Sequence, residues 1–209
     1  MLRLGFAIGV APDKWLRRYA EGTDHGPLHA TGMDDPAAAL IAREVDVALV
    51  RLPDARIDDS FHLIRLYEEE PGIAVPKESV YAEVGEAVAA ADVADEIVNY
   101  RSESLDMEEL RTALQVVAAN VGVAFGPRPV LKALSKNRVT HLGYAGEATA
   151  TSIAVAFYKD ADCDAIQDFV GITKGRTVRS SRSSTPKRTA REKAAAKKQR
   201  RQARNNKRR

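Results

Sequence analysis

REVDVALVRLP, Arg43 to Pro53, is the stretch on which the fold turns. From Val45 to Leu52 it carries three valines and two leucines with little polar alternation. Pro53 closes it, because proline has no N–H to give to a ladder. Such a run predicts a strand in the interior of a sheet, with both faces covered.

Toward the N-terminus the same unit repeats. Leu2 to Ile8 predicts a strand that ends at Gly9. Pro12 suits the first turn of a helix, where its missing N–H costs nothing, and Trp15, Leu16, Tyr19 and Ala20 then share one face. A turn at His25-Gly26-Pro27 leads to a strand from Leu28 to Met33. Asp34 or Asp35 can cap the next helix, with Pro36 in its first turn and Leu40 and Ile41 inward. Two strand–helix–strand units in succession imply parallel pairing with right-handed crossovers, hence an open α/β class.

Toward the C-terminus, Phe61 to Leu66 and Gly72 to Val75 read as a fourth strand and its continuation. Val80 to Ala94 reads as loop with short helix, and Ile97 to Tyr100 as a brief strand. Asp106 with Glu109 fits a capping box, followed by a Leu110, Leu114, Val117 stripe that Gly122 stops. Val121 to Phe125 predicts a strand, Val130 to Leu134 a helix, and Val139 to Tyr144 and Ser152 to Tyr158 two more strands. A last helix starts near Asp162, buries Ile166, Phe169 and Val170, and ends at Gly175.

The charge of +3 conceals a division. Residues 176–209 hold 15 Lys and Arg and one acid, Glu192, for +14, while residues 1–175 hold 17 basic and 28 acidic residues, for −11. No apolar residue larger than Val178 occurs after Gly175, so composition predicts a disordered basic tail joined to an acidic globule. The N-terminal apolar run is broken by Pro12 with no cleavage site behind it, and no apolar run approaches the length of a membrane span. A cytoplasmic protein is the expectation. Cys163 is the only cysteine, which excludes an intramolecular disulfide and a Cys-based zinc site.

Three strings, REVDVALVRLP (Arg43–Pro53), LIRLYEEEPGIAVPK (Leu63–Lys77) and LQVVAANVGVAFGP (Leu114–Pro127), resemble the effector-binding domain of LysR-type regulators in their order and spacing. ADVADEIVNY (Ala91–Tyr100) resembles the start of that family's second lobe. The likeness spans about Leu2 to Gly175. It implies a two-lobed, type 2 periplasmic-binding-protein-like α/β fold with mostly parallel sheets. Lobe I would take about residues 1–74 and 155–175, and lobe II about 75–154. A full regulator of that family begins with a winged helix–turn–helix, whereas here Met1 is followed at once by the first strand.

The resemblance places a ligand cleft between the lobes, which the chain crosses twice. Gly9, Val10 and Ala11 would line it at the first strand–helix turn, where helix N–H groups favour a carboxylate. Arg51, beside Pro53, can chelate a carboxylate bidentately, or can pair with Asp54 or Asp46 at the surface. Asn99 and Arg101 would face the cleft from lobe II, with Gly122, Val123 and Phe125 as the opposing wall; Phe125 also suits a plain core position. The implied partner is a small-molecule effector, carboxylate-bearing by this reading, and a homodimer is a further implied partner. No metal or cofactor is expected: His25, His29, His62 and His141 have no ligand spacing and read as solvated or edge residues. The Glu68-Glu69-Glu70 run reads as a solvated face. Nucleophile-elbow, P-loop and dinucleotide motifs are absent, so an enzyme is not expected.

The tail suits phosphate neutralisation without base reading. Lys187, Arg188, Arg191, Lys197, Lys198, Arg200, Arg201 and Arg204 are its candidate contacts to DNA or RNA, with no aromatic residue for stacking. A merely solubilising tail is the plainer alternative. For the whole chain, the alternative to a ligand sensor is an architectural nucleic-acid protein whose body serves as a dimerisation platform.

Overall fold

A computed structural model of the protein describes residues 1–175. The tail, with its candidate contacts from Lys187 to Arg204, lies outside the described residues. In chain order the elements are β1 (Leu2–Ala7), α1 (Asp13–Gly22), β2 (Leu28–Met33), α2 (Pro36–Ile41), β3 (Val47–Leu52), β4 (Phe61–Glu68), β5 (Pro71–Pro76), α3 (Val80–Val84), β6 (Val98–Tyr100), α4 (Met107–Ala118), β7 (Val123–Pro127), α5 (Arg128–Ser135), β8 (Val139–Gly143), β9 (Ser152–Tyr158) and α6 (Asp164–Thr173). They form two sheets, ordered β2-β1-β3-β9-β4 and β6-β7-β5-β8.

The Arg43–Pro53 stretch supplies β3, in the middle of the first sheet, and Val47, Ala48, Leu49 and Val50 are fully buried. Burial on both faces follows from where the helices go. Leu49 and Val47 share a core with α1 and α6 through Tyr19, Ile166 and Phe169. Ala48 and Val50 share another with α2 through Leu40 and Ala37. β1 pairs in parallel with β2 and β3, as the two strand–helix–strand units require. Asp35, not Asp34, caps α2: its Oδ1 accepts from the Ala38 N–H at 2.9 Å.

The sheets are mixed rather than mostly parallel. β9 returns from the second lobe and inserts antiparallel between β3 and β4, with Val155 opposite both Leu49 and Ile64. In the second sheet only β6 and β7 run parallel, and β5 is antiparallel to both β7 and β8. Residues 61–66 and 72–75 are likewise not one strand and its continuation. β4 belongs to the first sheet and β5 to the second, and the chain crosses at Glu69–Glu70. The return crossing ends at Thr151. Both crossings fall a few residues before the lobe boundaries expected at 74/75 and 154/155.

α4 is capped by Asp106, whose Oδ1 accepts from the N–H groups of Glu108 and Glu109 at 2.9 Å. Its Leu110, Leu114 and Val117 stripe packs on Ala74 and Ala124 in the second lobe's core. Asn120, at φ +70°, turns the chain out of α4, so the helix ends before Gly122. Asparagine shares glycine's tolerance of that conformation, so either residue serves as a stop signal. Gly122 has another reason to be glycine: at φ +60°, a Cβ there would collide with the Ile97 carbonyl oxygen.

Candidate functional site

The carboxyl ends of β1 and β3, the start of α2 and the loop after Pro53 make one wall of a crevice. The other wall is the second-lobe segment from Glu103 to Met107 at the start of α4, with Thr151 of the return crossing between them. The cavity so enclosed is about 450 Å³, room for a small metabolite. α1 and α2 leave the sheet on opposite faces, so the crevice lies at the topological switch point, where open α/β sheets hold ligands.

Of the sequence-predicted residues, Arg51 and Pro53 line this cavity. Arg51 pairs with neither Asp54 nor Asp46. Its guanidinium chelates Glu69 at 2.6 and 3.0 Å and donates to the Ile8 carbonyl at 2.9 Å. The Glu69 side chain is only 1% exposed. Thr151 Oγ1 donates to the same carboxylate, and the Glu69 N–H donates to the Thr151 carbonyl, both at 2.9 Å. One buried ion pair thus binds β1, β3 and both crossings together.

The first turn is occupied by protein. Gly9, at φ +95°, lies against the backbone of Pro129 and Val130, and a Cβ there would approach Val130 N to 2.9 Å. Val10 is buried in the first lobe's core and gives its N–H to the Ala7 carbonyl. Ala11 is exposed. Ile8 packs against the second lobe's core around Val130 and Leu131. At this end the lobes touch, and no cradle of spare N–H groups faces the cavity from Gly9 to Ala11.

The second-lobe candidates also fall elsewhere. β7 runs toward the crossings at Pro127, which pairs with Pro71, so Gly122 and Val123 stand at its far end. Asn99 is there too, donating to the Val121 carbonyl at 2.7 Å. Arg101 stacks 3.9 Å above the Phe125 ring and donates to Tyr144 Oη at 3.2 Å, on the sheet face away from α4. Phe125 is core, as its plainer reading had it. Strand direction puts Asn99, Gly122 and Val123 at the end of the sheet away from the crossings, whereas Arg101 follows the carboxyl end of β6 on the crossing side, two residues before Glu103 of the cavity wall, without lining the cavity itself.

What lines the cavity instead is a set of ion pairs that sequence reasoning had read as a cap and a loop. Arg56 holds Asp54 at 2.9 and 2.7 Å and Asp35 at 2.7 and 2.9 Å. These bonds lower both carboxyl pKa values and raise that of the guanidinium. Asp34 reaches across the mouth to Arg111 on α4, with bidentate bonds of 2.6 and 2.8 Å. The Arg111 bond likewise lowers the Asp34 pKa. The available signal was Asp34-Asp35-Pro36 beside Pro53-Asp54-Ala55-Arg56, two charged loops that follow strands pointing the same way.

Two histidines fit the solvated-or-edge reading, His25 being exposed and His141 standing on β8, an end strand of its sheet. His25 Nε2 lies 2.9 Å from Asp168 Oδ2, and His141 is half-buried, its pKa lowered by desolvation, with Nδ1 lacking a partner. Among the described residues no group of three or more His, Cys, Asp or Glu could hold a metal ion, and no helix is long and apolar enough to cross a membrane.

No family model and no curated protein matches the sequence. Solved structures do match. The BenM effector-binding domain with its effector benzoate superposes with a TM-score of 0.63 at 17% identity, covering 83% of this chain and 90% of that one. The effector-binding domain of QuiR in complex with shikimate gives 0.61 at 13%, over 82% and 94%. The OxyR regulatory domain from Pseudomonas aeruginosa gives 0.58 at 14%, over 83% and 94%. Residues 1–175 therefore have the two-lobed fold of LysR-type effector-binding domains.

Proposed function

We propose that the body is a ligand-sensing regulatory domain, acting in the cytoplasm, whose effector occupies the cavity between the lobes. The observation that carries this reading is the 450 Å³ space at the switch point, walled by both lobes. In the same fold, BenM and QuiR have been solved with benzoate and shikimate. A ligand contacting Pro53 on one side and Leu105 on the other gains by holding the lobes at one angle, which is how a small molecule biases a two-state element.

The lining argues against the carboxylate that the sequence suggested. Five carboxylates (Asp34, Asp35, Asp54, Glu103, Asp106) face two guanidiniums, Arg51 and Arg56, and both are already chelated by acids. An anion here would meet a net negative field and no spare cation. The effector we infer is therefore an uncharged or cationic polar molecule. The basic tail adds salt-sensitive, sequence-tolerant attraction to DNA or RNA.

Thermal melting of the full chain against matched panels of amines, polyols and carboxylates tests both parts. Stabilisation by neutral or amine compounds is expected. A carboxylate that raises Tm more than its amine counterpart would refute the charge assignment alone. No stabilising compound in any class would refute sensing. That outcome would favour a second reading, a ligand-free platform, to which the Ile8 and Gly9 contacts between lobes also lend weight.

A further inference from the structure

The cleft leaves most of the second lobe's charge unused. From Asp92 to Glu109 the chain carries seven carboxylates and one cation, Arg101, which is stacked on Phe125. This stretch wraps around β6, the end strand of its sheet, whose outer edge meets no strand among the described residues. Beside β6 runs a groove of about 580 Å³ between that strand and α4. Asn99, Tyr100, Glu108, Glu109, Thr112 and Val116 line it, and no lysine or arginine does. Among the described residues neither Glu108 nor Glu109 joins an ion pair. Aliphatic side chains stand out of the same surface: Ile97 is 63% exposed, Val98 47%, Val121 41% and Val116 37%. An open strand edge with exposed aliphatic groups is a surface proteins ordinarily cover or charge.

The occupant that fits is the chain's own tail. Carboxylates interleaved with small aliphatic groups suit Lys and Arg, whose methylene stems cover apolar surface while their charged heads reach out. Residues 176–209 supply 15 such side chains and no aromatic that would need a deeper pocket. The +14 of the tail complements the −11 of the body. Attachment at Gly175 makes the encounter intramolecular, and a segment of this length spans about 110 Å when extended, so reach is no obstacle. We propose that residues 187–204 dock in cis on the β6–α4 groove, so that the acidic face competes with polyanions for the tail. The competition rests on the nucleic-acid affinity proposed above; the docking does not.

Zero-length carbodiimide cross-linking of the dilute full-length protein, mapped by peptide mass spectrometry, tests this. Lys187, Lys193, Lys197 and Lys198 should link within one chain to Glu108 and Glu109 of the groove and to the exposed Asp95 just before β6. Yield should fall several-fold between about 50 mM and about 500 mM salt. Replacing Glu108→Gln and Glu109→Gln together should cut the links to Asp95 several-fold, with an unchanged melting profile as the folding control. Tail lysines linked without preference over the body, linked only between chains, or indifferent to that double replacement would overturn the docking. Groove links that persist when a saturating oligonucleotide is bound to the protein would overturn the competition and leave the docking standing.

Discussion

Glu69 is the residue whose removal should be felt most. Arg51, 11% exposed, depends on it, and an unpartnered charge in that setting typically costs about 3–5 kcal/mol. Urea unfolding of Glu69→Ala or Arg51→Ala should show losses of that order, while Arg51→Met combined with Glu69→Leu should lose less than either alone. A double mutant that lost the sum of both would show that the pair is not coupled. The sequence hid this pair for a simple reason. Three consecutive glutamates look like a solvated run, yet in extended chain neighbours point to opposite sides, and only the middle one turns inward. The exposed acids behave differently. Pairing depresses the carboxyl pKa values of Asp34, Asp35 and Asp54 below the ordinary 3.8. Their stabilisation is therefore fully present above that value and is lost as pH falls through the folded-state values. Stability from these groups should be flat from about pH 5 to pH 8 and decline in acid. Asp34→Asn should flatten part of that decline, by no more than ~1 kcal/mol because both it and Arg111 are largely in water.

At the level of elements, local signals sufficed where the chain answers to itself. The Leu110-Leu114-Val117 stripe and the Asp106 cap specify α4 without knowledge of any neighbour, and β9 was legible to the residue because its apolar run is bounded on both sides. Asp106→Ala should cost about 1 kcal/mol, as cap removal does, and should raise hydrogen exchange first at Glu108 and Glu109. Uniform exchange along α4 would assign the loss elsewhere. What stayed illegible depends on partners distant in sequence. β4 and β5 read as one strand because only Glu69 to Pro71 mark the crossing, and which second-lobe candidates stand at the crossing end depends on strand direction, a tertiary fact that leaves Asn99, Gly122 and Val123 at the far end. Gly122→Ala tests such a dependence. Its Cβ would strike the Ile97 carbonyl, so β6 should detach from β7 with a loss of about 2 kcal/mol or more.

At the scale of the described residues, the lobes meet at places of different character, among them the laced crossings at Glu69 and Thr151, the Ile8–Gly9 contact with α5, and the exposed Asp34–Arg111 bridge across the cavity mouth. Glu69 is buried, Ile8 and Gly9 are half-buried, and the Asp34–Arg111 bridge is exposed. Arg111→Ala should therefore leave global stability within about 1 kcal/mol and speed hydrogen exchange around residues 33–37 and the start of α4. A large global loss would mean that the bridge holds the lobes rather than the mouth.

The position of β9 has a consequence for how the protein is made. It lies between β3 and β4, yet among the described residues it is the last strand to leave the ribosome, after the entire second lobe. Until Tyr158 has emerged, the flanks of β3 and β4 that will receive it stay open, each a sticky seam. Synthesis that paused between residues 70 and 150 would leave that seam exposed, and nascent chains halted there should be bound by chaperones more heavily than chains released after Gly175.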